Sequence, residues 1–222
     1  MPSTDWAPLR FRERRLDAFQ PVSPSARRAL EAARRFVSEA IGSLVLAGPT
    51  GVGKTHLAVC AAADRFAIAL DAWNLLPVVN DPAPWEKPRK ERARPYAPDW
   101  CSVPELIVGL RADMDRDRED RGWTERAEDL AHWQGTVILD DLGREKVSDW
   151  TGETIYTLVN GRYEGVLPTI VTTNLTGAEL AASPYWPVIS RLAEGGELVR
   201  IEAPDYRLAK PDLTRAAAGS EP

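Results

Sequence analysis

GPTGVGKTHLA, residues 48–58, places G-x-x-x-x-G-K-T between the short apolar run SLVLA (43–47) and the helix-forming stretch THLAVCAAADRFAIA (55–69). Gly48, Gly51 and Gly53 permit the positive φ angles with which successive backbone N–H groups curl around an anion. A helix that opens near Lys54 aims the positive end of its dipole at the same point. In this pattern the lysine reaches the outer phosphates of a triphosphate and the hydroxyl of Thr55 ligates Mg²⁺. The whole run Gly48, Pro49, Thr50, Gly51, Val52, Gly53, Lys54, Thr55 and His56 is therefore assigned to nucleotide contact, with a nucleoside triphosphate and Mg²⁺ as the expected cofactors. A decorative glycine turn is the alternative, and the flanking strand and helix argue against it.

A loop of this kind needs a second oxygen donor for its metal. VILDDLG (137–143) supplies one, because Asp140 emerges at the carboxyl end of a buried strand, where ligands sit in open α/β sheets. Asp140 is the expected metal residue together with Thr55, and Asp141 is placed to orient or deprotonate an attacking water. Two acids capping the next turn is the competing reading. TIVTTNL ends a further apolar strand in Asn174, which is either a water- or phosphate-binding side chain or an ordinary turn residue. Arg191, on the helix before the last strand, either caps that helix or reaches the phosphates held by a neighbouring subunit. Arg207, just beyond the last strand, is a candidate phosphate contact in its own subunit.

Working outward, SPSARRALEAARRFVSEAI (23–41) opens with Ser23 as N-cap and Pro24 at the first helical position, and its apolar residues recur at helical spacing. The pattern then predicts strands near 43–47, 99–103, 136–141, 168–174 and 197–203. It predicts helices at 55–69, from Pro104, and at 124–133, 152–165 and 187–196. Alternating strands and helices make a parallel sheet with helices on both faces. From Asp71 through Pro104 there are seven prolines, and EKPRKERAR (86–94) is net +3, so 71–98 reads as a long surface insertion.

The bulk composition fits one α/β domain. The chain has 222 residues, 44% of them hydrophobic and 27% charged, and no apolar run of membrane-spanning length. Two cysteines, Cys60 and Cys101, suggest neither a disulfide framework nor a zinc site. With no secretory signal at the start, the expected location is cytoplasmic, without membrane contact. Net charge is −5, yet residues 1–36 are net +4. Any nucleic-acid contact would therefore come from a local patch rather than a global field.

Taken together, these motifs resemble the DnaC/DnaI/IstB-type AAA+ ATPases, the helicase loaders and transposition helpers, from about Phe11 to Leu208 without the insertion. GPTGVGKTHLA matches their Walker A loop, VILDDLG their Walker B strand, NGRYEGVLPTIVTTNLT their sensor 1 region and ISRLAEGGELVRIEAPDYR their ending. The resemblance implies a P-loop fold with strand order 5-1-4-3-2, a reduced or absent lid, and a nucleotide site at a subunit interface. It assigns Lys54, Thr55, Asp140, Asp141, Asn174, Arg191 and Arg207 to that site, with Arg191 as an arginine finger. It divides the chain into a basic linker and helix (1–41), an ATPase core (42–208) and a tail (209–222). The partners implied are a replicative DNA helicase or a transposase, single-stranded DNA, and further copies of the chain in an ATP-dependent oligomer. Two features depart from the family. Most AAA+ ATPases have Glu where Asp141 stands, and only about forty residues precede the core strand. Rival readings are a small-molecule phosphotransferase using Arg89, Arg92 and Arg94, and a nucleotide-gated adaptor that does not hydrolyse.

Overall fold

The structure, a computed structural model, describes residues 6–11, 14–39, 42–75, 96–115 and 121–206. Five strands form one sheet: β1 (Ser43–Ala47), β2 (Asp99–Ser102), β3 (Val137–Leu142), β4 (Thr169–Thr173) and β5 (Gly196–Arg200). Every pairing is parallel, and the order is β2-β3-β4-β1-β5, the 5-1-4-3-2 arrangement. β1 lies between β4 and the edge strand β5, with Val45 opposite Val171 on one side and Leu198 on the other. The central strands are apolar along their length because both faces of the sheet are covered.

The α-helices among the described residues are α1 (Pro24–Ser38), α2 (Lys54–Leu75), α3 (Val103–Asp113), α4 (Gly122–His132), α5 (Asp149–Glu164), α6 (Gly177–Ala181) and α7 (Trp186–Glu194). Strand alternation divides the core in two. Leu44, Leu46, Ile138 and Ile170 pack with Ala29, Ala33 and Phe36 of α1 and with Leu57 and Ala61 of α2. Val45, Val137, Leu139 and Val171 pack with Ile107 of α3, Leu130 of α4, Ile155 of α5 and Ile189 of α7. Cys60 and Cys101 sit in these two cores as free thiols, and burial pushes both to about 12, so they behave as small apolar residues.

Local signals set the helix ends. Ser23 Oγ accepts from the Ala26 N–H ahead of Pro24, as its position predicts. Thr176 and Glu179 cap α6 reciprocally. That helix, and the 3₁₀ turns Leu9–Phe11 and Leu16–Ala18, went unforeseen because they are too short to show a period. One boundary is corrected. The insertion expected to begin at Asp71 begins later, because α2 continues through Leu75; the first proline of that run is Pro77. Residues 76–95, Arg207 and the tail 209–222 lie outside the described residues, so the expectations placed on them are not addressed.

Two buried or half-buried arginines tie the architecture together. Arg162 of α5 is fully buried and makes five hydrogen bonds. Its Nε donates to Thr169 Oγ1, and its two terminal nitrogens donate to the carbonyls of Leu130, Trp133, Gly135 and Pro168 at 2.6–3.0 Å. It thereby joins the end of α4 to the entries of β3 and β4, and desolvation lowers its pKa to about 10. Arg126 of α4 forms a bidentate pair with Asp99 at the start of β2. Among the described residues no helix is long and apolar enough to cross a membrane.

Candidate nucleotide site

The loop between β1 and α2 carries positive φ at Gly48 (148°), Gly51 (83°) and Gly53 (95°). Two of these glycines also have no room for a side chain. A Cβ at Gly48 would sit 2.2 Å from the Ile201 carbonyl oxygen, and one at Gly51 would sit 1.9 Å from Asp205 Oδ1. The chain leaving β5 runs beside the loop, with the Ile201 N–H donating to the Ala47 carbonyl and the Tyr206 N–H to the Gly51 carbonyl. Val52 is buried in the α1–α2 core, whereas Pro49 and Thr50 are exposed.

Lys54 is only 5% exposed. Its Nζ donates to the carbonyls of Gly48 and Pro49 and to Asn174 Oδ1, each at 2.8 Å. The end of β4 is therefore joined directly to the loop. Thr55 Oγ1 donates to Asp140 Oδ1 at 2.8 Å, so the two residues expected to share a metal already stand within hydrogen-bond reach. His56 lies between two rings, stacked on Phe11 at 5.7 Å and edge-on to Phe19 at 5.5 Å. Desolvation lowers its pKa, which keeps the imidazole neutral at pH 7.

Asp140 is buried, and a second hydroxyl holds it. Thr172 Oγ1 donates to the same Oδ1 at 2.6 Å while accepting the Asp141 N–H at 3.0 Å. Burial raises the Asp140 pKa above the ordinary carboxylate range, and the hydrogen bonds from Thr172 and Thr55 oppose that rise. Thr172 was missed from the sequence. Its signal was alternation: it shares a strand face with Ile170 and Asn174, a buried polar residue between an apolar one and the polar strand end. At Asp141 the backbone turns to φ 62°, and the β3–β4 ladder shifts register between Leu139 and Leu142. The Asp141 carboxylate is engaged by Arg144 at 3.2 Å.

Lys54, Thr55, Asp140 and Asn174 thus converge at the carboxyl ends of β1, β3 and β4. Arg191 stands apart from them. Its guanidinium lies over the rings of Tyr156 (4.5 Å) and Tyr163 (5.9 Å) of α5. Mg²⁺ prefers hard oxygen donors, few from protein and the rest from phosphate and water. A hydroxyl and a buried carboxylate beside an anion-binding loop fit that preference. Among the described residues no group of three or more His, Cys, Asp or Glu could hold a metal by itself.

No family model and no curated protein sequence matches the chain. Solved structures do. The DnaC helicase loader is 28% identical over 88% of this chain and all of its own length, with a TM-score of 0.64. DnaI is 20% identical over 90% of this chain and 94% of its own, with a TM-score of 0.60. The replication initiator DnaA, solved with AMPPCP and single-stranded DNA, is 19% identical with a TM-score of 0.61; the match covers 90% of this chain and 52% of DnaA. The last two share the fold; with the first the likeness extends to 28% of aligned residues. With strand order, phosphate loop and paired acids all in place, the chain is similar in fold to the DnaC/DnaI-type AAA+ proteins, and to DnaC in sequence as well.

Proposed function

We propose that this protein binds ATP with Mg²⁺, hydrolyses it, and uses the cycle to assist the loading of a replicative DNA helicase. The observation that carries the proposal is the hydroxyl–carboxylate junction of Thr55, Asp140 and Thr172 beside Lys54 and Asn174. The loop N–H groups and Lys54 would bind the phosphates, and Thr55 and Asp140 would hold the metal, which supplies charge neutralisation on the transferred phosphoryl group. Asp141 would orient the attacking water, and Asn174 would hold Lys54 and the outer phosphate in register. Arg191 would serve the site of the next subunit in an ATP-dependent oligomer. Single-stranded DNA would lie along the assembly, where local basic residues add up across copies. The likeness to DnaC supports helicase loading as the task that the cycle serves.

One observation favours a second reading, an adaptor gated by nucleotide without turnover. Asp141 is the shorter acid, and its carboxylate is paired with Arg144. Titration calorimetry with ATP and Mg²⁺, followed by phosphate release with and without single-stranded DNA, separates the two. Binding with DNA-stimulated release supports the loader ATPase, and binding without release supports the adaptor. No heat of binding rejects both.

A further inference from the structure

The turn that follows the paired acids is fixed from a distance. Asp141 (φ 62°) and Gly143 (φ 86°) both occupy the left-handed region. A Cβ at Gly143 would sit 2.5 Å from Leu175, the residue after Asn174, so the turn lies against the end of β4. Glu145 holds this turn in shape, because its Oε1 accepts the Gly143 N–H at 3.1 Å. The same oxygen accepts the hydroxyl of Tyr185, a fully buried side chain. Burial and the adjacent Glu145 carboxylate push the Tyr185 phenol above its ordinary range, so the hydroxyl remains a donor.

Tyr185 is also the N-cap residue of α7, the helix that carries Arg191. A short covalent and hydrogen-bonded path therefore runs from Asp141 through Gly143 and Glu145 to Tyr185 and along α7 to Arg191. Its far end is restrained too. Arg191 stacks on Tyr156 and Tyr163, and the Tyr163 hydroxyl donates to Glu194 of the same helix at 3.0 Å. The remaining Glu145 oxygen is buried without a hydrogen-bond partner, so the carboxylate is held entirely through Oε1. Burying a carboxylate oxygen in this way costs free energy, and that cost is consistent with a geometry kept for positioning.

We propose that Glu145 and Tyr185 form a positioning pair that couples the acid turn of one nucleotide site to the Arg191 helix of the same subunit. Each site thereby sets the presentation of Arg191 to the next. The inference rests on the reading of Arg191 as a finger acting between subunits. The contiguous contact supplies a route between the two sites, and coupling along it is what the variants below measure.

The test compares Tyr185→Phe, Glu145→Ala and Glu145→Gln with wild type and with Arg191→Ala. Tyr185→Phe removes the shared hydroxyl, whereas Glu145→Gln keeps an acceptor for both donors. Loss of one buried hydrogen bond of about 1–1.5 kcal/mol corresponds to about a tenfold change in turnover. The expected result is a kcat about tenfold lower in Tyr185→Phe and Glu145→Ala, with ATP affinity by calorimetry unchanged. The Hill coefficient should fall toward 1, Glu145→Gln should restore most of the rate, and Tyr185→Phe combined with Glu145→Ala should be no worse than either single variant. Wild-type turnover and cooperativity in Tyr185→Phe and Glu145→Ala overturn the pair while leaving the ATPase reading intact. The pair is also overturned by an equal loss in Glu145→Gln, or by loss of ATP binding in all three variants. Wild-type protein without turnover, or Arg191→Ala with full turnover, rejects the underlying reading and the coupling with it.

Discussion

Replacing Thr172 with Val tests the carboxylate junction with almost no change of shape. The hydroxyl donates to buried Asp140 and accepts the Asp141 N–H, and the side chain is fully buried, so a methyl group meets both lost partners without water. A hydrogen bond to a charged group contributes about 2 kcal/mol, and an unmet, partly buried N–H costs about 1 kcal/mol. The expected loss at pH 7 is therefore about 3 kcal/mol, or a fall in Tm of about 6–12 °C for a chain of this size. The sign with pH follows from the raised pKa of Asp140. As pH falls, the folded chain takes up this proton before the unfolded chain does, so ionised Asp140 opposes folding at neutral pH and that cost lifts on acidification. Thr172→Val enlarges the cost of the ionised form, while the unmet Asp141 N–H adds a part that does not change with pH. The destabilisation should be greatest at pH 7 to 8 and shrink as pH falls through the raised pKa. Urea unfolding of both proteins at pH 8, 7, 6 and 5 measures it. A loss under about 0.5 kcal/mol, or one that does not vary with pH, refutes the reasoning.

Arg162→Met removes five donors from a fully buried cluster and should cost about 3–5 kcal/mol of stability; a denaturation midpoint close to wild type would contradict the clamp. Lys54→Ala should abolish the calorimetric signal with ATP and Mg²⁺ while the chain stays folded by circular dichroism, and undiminished binding would remove the loop from the site. Arg191→Ala should leave ATP affinity unchanged and eliminate turnover, measured as phosphate release. The divalent metal needed for half-maximal nucleotide binding should rise on acidification from pH 8 to 5.5, because a proton competes for a carboxylate whose pKa is raised. A metal requirement that stays flat across that range would argue that Asp140 is not a ligand.

Much of the site was legible because its chemistry is local in the chain. The glycine loop, Lys54 and Thr55 are contiguous, and Asp140 and Asn174 each end an apolar strand, so strand position alone predicted their convergence. The order of the strands was legible only through family resemblance, since nothing in a run such as SLVLA says which neighbour it pairs with. Thr172 escaped because threonine is an ordinary strand residue, and its role depends on β4 lying beside β3. Tyr185 escaped for a related reason. SPYWP reads as a connection between elements, yet its tyrosine is fully buried and reaches Glu145, forty residues earlier in the chain. The short helix α6 did leave a trace, the Thr176–Glu179 spacing of a capping box, within a stretch too brief for periodicity.

The route of the chain after β5 has an evolutionary consequence. Because Ile201 and Asp205 fill the space where side chains at positions 48 and 51 would lie, the phosphate loop and residues 201–206 form one steric unit assembled from distant parts of the sequence. Gly48 and Gly51 are therefore doubly constrained, by backbone angle and by this neighbour. A substitution at Asp205 that changes its bulk or charge will act on nucleotide affinity without touching a motif. Homologues that reroute this exit are where non-glycine residues at those loop positions should be found.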